Sequence, residues 1–185
     1  GRYLALTDPA LMLECLQDYN DWLTDWSSAA PSRFIPQMAM PLWDVAACVR
    51  EMERCVRNGH KGVVMSADPS PFGLPKLSDP HLDTVWAAAQ EMGLPVNFHV
   101  ASGDPGAMDI ITMIHPSAGP RANSASMNAL AALDNAKAIS QLICAGICHR
   151  FPRLNFVSVE SGVGWLPFVL DGLDYQWKNC AVGRE

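Results

Sequence analysis

The chain has 185 residues, of which 49% are hydrophobic and 17% charged, with a formal net charge of -6. That balance describes a soluble single domain with room for a substantial core, and mild acidity without a basic cluster argues against nucleic acid as a partner. No apolar run reaches the length of a membrane span and no signal-peptide pattern opens the chain, so no membrane partner and a cytoplasmic location are expected.

Secondary structure alternates along the whole sequence. Thr7-Asp8-Pro9 is a helix start, a capping residue followed by proline in the first turn. Leu11, Leu13, Leu16, Tyr19, Leu23 and Trp26 carry that helix to about Ser28, and Pro31 ends it. Phe34 to Met40 is a candidate strand, weakened at its start by Pro36. Pro41-Leu42-Trp43-Asp44 caps a second helix whose buried stripe is Val45, Cys48, Val49, Met52 and Val56. Asn58-Gly59 stops it, and Lys61 to Ser66 forms the next strand. The proline-dense stretch Ala67–Pro75 is a loop. Ser78-Asp79-Pro80 opens a third helix, running through Leu82, Val85, Trp86 and Ala89 to Met92.

Gly93 and Pro95 then lead into Val96-Asn97-Phe98-His99-Val100, a short strand rich in β-branched and aromatic residues and closed by Ser102-Gly103. A long irregular connection is expected to about Ser124, followed by a helix through Leu130, Leu133, Ala136, Ile139 and Leu142 to His149. Phe151-Pro152-Arg153 is a break, Leu154 to Glu160 the last strand, and Trp165 to about Asn179 the last helix. The six cysteines (15, 48, 55, 144, 148 and 180) fall mostly in helical segments. Cys144 and Cys148 share a helical face at i, i+4, but no second Cys/His pair of zinc-site spacing accompanies them, so reduced, buried thiols are expected.

One helix followed by four strand–helix units implies right-handed crossovers and a parallel sheet. No glycine-rich phosphate loop follows any strand. Repeats of about thirty residues without such a loop favour a (β/α) barrel, which needs eight units in about 250 residues. Only half that number is present.

Several stretches carry a family likeness: Tyr19-Asn20-Asp21-Trp22-Leu23, Ala30-Pro31-Ser32-Arg33-Phe34, Trp86-Ala87-Ala88-Ala89, Gly93-Leu94-Pro95-Val96-Asn97-Phe98-His99, Phe151-Pro152-Arg153-Leu154 and Gly162-Val163-Gly164-Trp165-Leu166-Pro167-Phe168, with Leu173-Asp174 shortly after. Together they resemble the amidohydrolase-related family (amidohydrolase 2), which includes aminocarboxymuconate-semialdehyde decarboxylase and the resorcylate-type aromatic decarboxylases. The resemblance implies a distorted TIM barrel with a divalent metal ion, zinc or in some members manganese. It also implies hydrolysis or decarboxylation of a small carboxylated, often aromatic or cyclic, compound. By the same resemblance the chain covers about the third to the sixth barrel strand, as a single domain over 1–185 that is incomplete at both ends. The first-strand His-x-His or Glu-x-His pair and the aspartate after the eighth strand have no counterpart here. A fragment of a longer protein is therefore expected, homo-oligomeric in its full-length form. Open apolar strand edges should make the isolated chain self-associate. The competing expectation is a catalytically silent half-barrel that serves as a binding or assembly module.

Site residues follow from position and chemistry. Ligands collect at the carboxyl ends of parallel strands. His99 sits at such an end, suits a divalent metal, and matches the family's fifth-strand ligand; alone it would equally fit a hydrogen-bonded core histidine. Where the decarboxylases carry histidine in a His-Gly-Gly context, this chain delivers Glu160, followed by Ser161-Gly162. A carboxylate there can bind metal, orient a metal-bound water or act as general base, or else be structural. Ser66 and Asp68 are candidates for lining a substrate pocket, Arg121 for pairing with a substrate carboxylate, and Trp165 for stacking on a ring. His115 is a lesser metal candidate in the long loop. His60, His81 and His149 lie near helix ends, where capping or dipole interactions suffice.

Overall fold

Local capping chemistry sets the helices of the computed structural model, which describes residues 6–100, 117 and 119–180. Helix α1 (Pro9–Ser28) starts where the Asp8 side chain accepts hydrogen bonds from the Ala10 and Leu11 N–H groups. After strand β1 (Gln37–Ala39), Asp44 caps helix α2 (Val45–Arg57) by accepting from the Ala47 N–H. Strand β2 (Gly62–Met65) follows, and a 3₁₀ turn at Pro80–Leu82 leads into helix α3 (Asp83–Glu91). Strand β3 (Val96–His99), helix α4 (Gly119–Cys144), the short helix α5 (Ile147–Arg150), strand β4 (Phe156–Val159) and helix α6 (Trp165–Asn179) complete the order.

The strands lie in sequence order, β1-β2-β3-β4, and every neighbouring pair is parallel. Sequential parallel strands joined by helical crossovers form a segment of a (β/α)8 barrel, as expected from the alternating pattern. The register aligns Met38, Val63, Val96 and Phe156 across the sheet. This face, together with Met65 and Phe98, packs on Cys48, Met52 and Cys55 of α2, Val85, Trp86 and Ala89 of α3, and Ala138 and Leu142 of α4. Because side chains alternate along a strand, the opposite face carries Gln37, Ala39, Val64, Asn97, His99, Val157 and Val159. On it the Asn97 amide donates to Gln37 Oε1 at 2.7 Å and to Val63 O at 2.9 Å. Gly62 lies beneath that bond; a Cβ there would collide with the Gln37 side chain and stand 3.1 Å from Asn97 Nδ2.

Several boundaries differ from expectation. Strand β1 is confined to Gln37–Ala39 between Pro36 and the turn at Pro41, because proline cannot donate to a ladder. The last strand is likewise shorter, Phe156–Val159, which leaves Glu160 just beyond it. Helix α4 begins at Gly119, not after Ser124, since Pro120 suits a first turn whose N–H groups need no partner. It stops before Gly146, whose φ of 67° separates it from α5. Only Cys48 and Cys55 are buried; Cys15, Cys144, Cys148 and Cys180 are exposed. Burial pushes the Cys48 and Cys55 thiols up to about 12.

The edge of β1 is not open along its length. Asn20 of α1, fully buried, accepts from the Ala39 N–H at 2.8 Å and donates to the Ala39 carbonyl at 3.1 Å, as a neighbouring strand would. Its amide also donates to Glu51 Oε1 at 2.8 Å. Glu51, only 2% exposed, further accepts from Arg54 Nε at 2.9 Å, Arg54 Nη2 at 2.7 Å and Gln17 Nε2 at 3.2 Å. Arg54 pairs in turn with Asp21. Burial works against the Glu51 carboxylate, but the hydrogen bonds from Arg54, Asn20, Gln17 and Cys55 prevail and hold its pKa at about 2.

A depressed carboxylate pKa stabilises the fold above its unfolded value and loses that contribution as pH falls through its folded value. Here the window runs from 4.5 down to about 2. The shift corresponds to on the order of 3 kcal/mol. Glu51→Gln should therefore flatten the acid-unfolding profile across this window. Glu51→Ala, which strands the Arg54 charge and the Asn20 amide, should cost about 3–5 kcal/mol. Urea unfolding as a function of pH measures both; an unchanged acid limb in Glu51→Gln would remove Glu51 from the linkage.

Candidate functional site

Two strand ends bring His99 and Glu160 together. Strands β3 and β4 are paired through His99 and Val159, so the residue after Val159 emerges beside the imidazole. His99 Nε2 lies 3.0 Å from Glu160 Oε2. His99 Nδ1 lies 2.8 Å from the Val100 carbonyl oxygen. A carbonyl only accepts, so Nδ1 carries a proton and donates it. Nε2 then faces a carboxylate, which also only accepts. The arrangement is satisfied when Nε2 is protonated too, giving an imidazolium–carboxylate pair, or when a cation takes the place of that proton.

Stability does not account for this pair. The His99 and Glu160 side chains are 46% and 70% exposed, and pairs this open contribute less than about 1 kcal/mol. Glu160 is also the one non-glycine residue at positive φ, 61°, among the described residues. That left-handed conformation costs a residue bearing a Cβ about 1–2 kcal/mol. Strain at an exposed carboxylate, unrepaid by its contact, makes Glu160 a candidate functional position.

The surroundings hold these strand ends rigidly. Asn135 of α4, fully buried, donates to the Phe98 carbonyl at 2.9 Å and to Ser158 Oγ at 2.9 Å. Ser158 Oγ meets Ser161 Oγ, and Trp165 Nε1 donates to the Ser161 carbonyl at 2.8 Å. Beneath His99, on the sheet face opposite the core, lies a cavity of about 530 Å³ lined by Val64, Asn97, His99 and Val159 and, from α1 and the following loop, Tyr19, Trp26 and Phe34.

Other candidates from the sequence stand apart. Ser66 Oγ accepts from the Asp68 N–H at 3.0 Å, and Asp68 accepts from the Ser70 N–H at 3.0 Å and the Ser70 hydroxyl at 2.6 Å. Both side chains are thus engaged in forming the turn after β2, and neither lines the cavity. Arg121 is exposed in the first turn of α4. Trp165 begins α6, with its indole N–H committed to Ser161. His115 lies outside the described residues. His60 follows the end of α2 as expected but is buried, 4% exposed, with Nε2 at 2.9 Å from Thr24 Oγ1 and 3.2 Å from the Asn20 carbonyl.

Asn135 and the amides of Gln37 and Asn97 were not among the residues marked in the sequence. One signal was present. Asn135, Ala138 and Leu142 share a helical face, and an asparagine on a buried stripe must find backbone or side-chain partners.

The donor set fits a divalent cation in part. His99 Nε2 and the Glu160 carboxylate converge, and Nδ1 is oriented by a carbonyl as metal-bound histidines are. Among the described residues no third His, Cys, Asp or Glu joins them, whereas a catalytic zinc site takes about three protein ligands.

Comparison with known proteins bears on the family and the fold. Over 177 residues the chain is 27% identical to gamma-resorcylate decarboxylase of Rhizobium radiobacter, covering 93% of this chain and 51% of that protein. An amidohydrolase from Mycobacterium avium subsp. paratuberculosis superimposes with a TM-score of 0.72 at 26% identity, over 92% of this chain and 44% of its own. 5-Carboxyvanillate decarboxylase from Novosphingobium aromaticivorans, solved with bound manganese, superimposes with a TM-score of 0.74 at 23% identity, over 97% of this chain and 49% of its own. At that identity the last likeness shows the fold alone. The chain spans about half the length of the curated relatives it matches. Since residues 4–182 match the Amidohydrolase family from end to end, the chain belongs to it.

Proposed function

We propose that the protein is a metal-dependent carboxy-lyase acting on a small aromatic carboxylate, with His99 as a metal ligand and Glu160 as the acid–base group. The observation that carries this reading is the strained, exposed Glu160 held 3.0 Å from His99 Nε2 at adjacent parallel strand ends. The likeness to gamma-resorcylate decarboxylase supports the substrate class. A divalent cation, zinc or manganese, would polarise substrate oxygens and offset the substrate's negative charge. Loss of CO2 leaves an electron pair on the ring carbon, and a proton must replace the departing carboxyl group. Glu160, open to solvent and one strand from His99, is placed to supply that proton and to be reprotonated from water. Tyr19, Trp26 and Phe34 offer flat apolar surface for a ring, and Arg121 remains a secondary candidate for its carboxylate.

A second reading is hydrolysis, favoured by the carboxylate at position 160. There Glu160 would take a proton from the attacking water instead of giving one to carbon. Incubating the full-length protein with dihydroxybenzoates and with amides or esters of small carboxylic acids separates the two readings. Release of CO2 supports the first and release of amine or alcohol the second. Neither product would leave the silent half-barrel.

Two substitutions test the residues. His99→Ala should abolish stoichiometric binding of about one divalent ion per full-length chain, measured by metal analysis after dialysis. Full activity without metal and indifference to His99→Ala would overturn the assignment. Glu160→Gln should lower turnover about 10²-fold or more while leaving the melting temperature nearly unchanged. A structural carboxylate predicts the reverse pattern, a lower melting temperature with specific activity retained.

A further inference from the structure

We infer that Asn135 is a positioning residue: through Phe98 and Ser158 its amide fixes the spacing of the two strand ends that carry His99 and Glu160. This rests on the reading of those two residues as the site. Asn135 Nδ2 has two hydrogens, and the structure uses them on two different strands, at 2.9 Å to the Phe98 carbonyl and 2.9 Å to Ser158 Oγ. Phe98 immediately precedes His99, and Ser158 lies two residues before Glu160. The amide also approaches the Val159 carbonyl at 3.5 Å.

The direction of the chain is fixed by what each atom can do. An amide N–H only donates, so Ser158 Oγ accepts from Asn135 and has its own proton left for Ser161 Oγ. Ser161 in turn donates to the Gly162 carbonyl at 3.4 Å, while its own carbonyl is held by Trp165 Nε1. Ser158 and Ser161 therefore bracket Glu160, closing a short loop over the residue at φ 61°. Without that closure the turn can relax out of the left-handed region, and the Glu160 carboxylate would swing off the imidazole. Asn135 Oδ1 is buried and accepts from no described residue, so the side chain's place in the core is accounted for by its donors alone.

The test uses the full-length protein with three variants, Asn135→Ala, Ser158→Ala and Ser158→Thr, and two readouts. Manganese affinity is measured by titration with MnCl2, and the imidazole nitrogen resonances of His99 are recorded without metal, assigned by their loss in His99→Ala. Ser158→Ala should weaken manganese binding by about 10- to 100-fold, the usual consequence of removing a group that orients ligands. It should also move the His99 nitrogen resonances, whereas Ser158→Thr, which keeps the hydroxyl, should hold both close to the parent. Asn135→Ala should match Ser158→Ala; if it fails to fold, the Ser158 pair decides. Loss of packing alone lowers the melting temperature without these changes. Wild-type affinity and resonances in Ser158→Ala would overturn the inference. If the parent protein binds no manganese, the metal reading fails by itself, and the resonance comparison still decides the positioning role.

Discussion

Everything on the sheet's open face depends on where β1 lies, and Asn20 decides that. Its side chain presents a donor and an acceptor to Ala39, satisfying both backbone groups of that β1 residue. An amide doing this in the core needs its remaining hydrogen bound, and Glu51 provides the acceptor. A buried carboxylate is tolerated only with several donors, which Arg54, Gln17 and Cys55 supply. One edge contact thus requires a charged cluster spanning α1 and α2. With β1 held, Gln37 reaches across Gly62 to Asn97, two residues before His99 on the same face. The restraint runs from a helix at the edge of the sheet to the strand that carries the imidazole.

The two faces of the sheet divide the work. The helix-covered face is apolar and unusually rich in sulfur, with Met38, Met40, Met52, Met65, Cys48 and Cys55 all buried. Unbranched and polarizable side chains fill irregular space between short strands and helices. Such packing tolerates small shifts of the strands, so precision at the strand ends has to come from elsewhere. Directional hydrogen bonds provide it: Asn97 near the middle of the sheet and Asn135 at its carboxyl end each tie neighbouring strands together.

Helix limits were legible wherever a single residue controls them. Asp8 and Asp44 are caps whose side chains bond the first-turn N–H groups, and α6 spans Trp165–Asn179 as its pattern implied. Strand order was legible too, because alternation with helices leaves few topologies. Strand length was not: apolar residues continue on both sides of β1, but ladder pairing ends where proline or a turn intervenes. The position of His99 and Glu160 at strand ends could be read from the chain, but their approach could not. It depends on the register of β3 against β4 and on a left-handed backbone at a glutamate, which residue identity disfavours. The Asn20–Glu51 and Asn135 contacts escaped for a related reason, since each joins residues far apart in sequence and their spacing shows no period.

Charge explains why Glu160 and His99 belong together under the proposed function. An aromatic carboxylate brings a negative charge to a site whose most exposed group is itself a carboxylate, in a chain of net charge -6. Two unit charges of the same sign 4 Å apart repel by about 4 kcal/mol at a surface-like dielectric, enough to prevent binding at useful concentrations. The imidazole alone offsets this only while protonated, and its Nδ1 proton is already committed to Val100. A divalent cation held by His99 and Glu160 would supply the positive charge that offsets the substrate's carboxylate, with Glu160 still serving as the acid–base group. The histidine expected at position 160 from the family likeness would not impose this requirement. Under that proposal glutamate there would make binding of an anion and binding of a cation parts of one event, so substrate affinity and metal occupancy should rise and fall together.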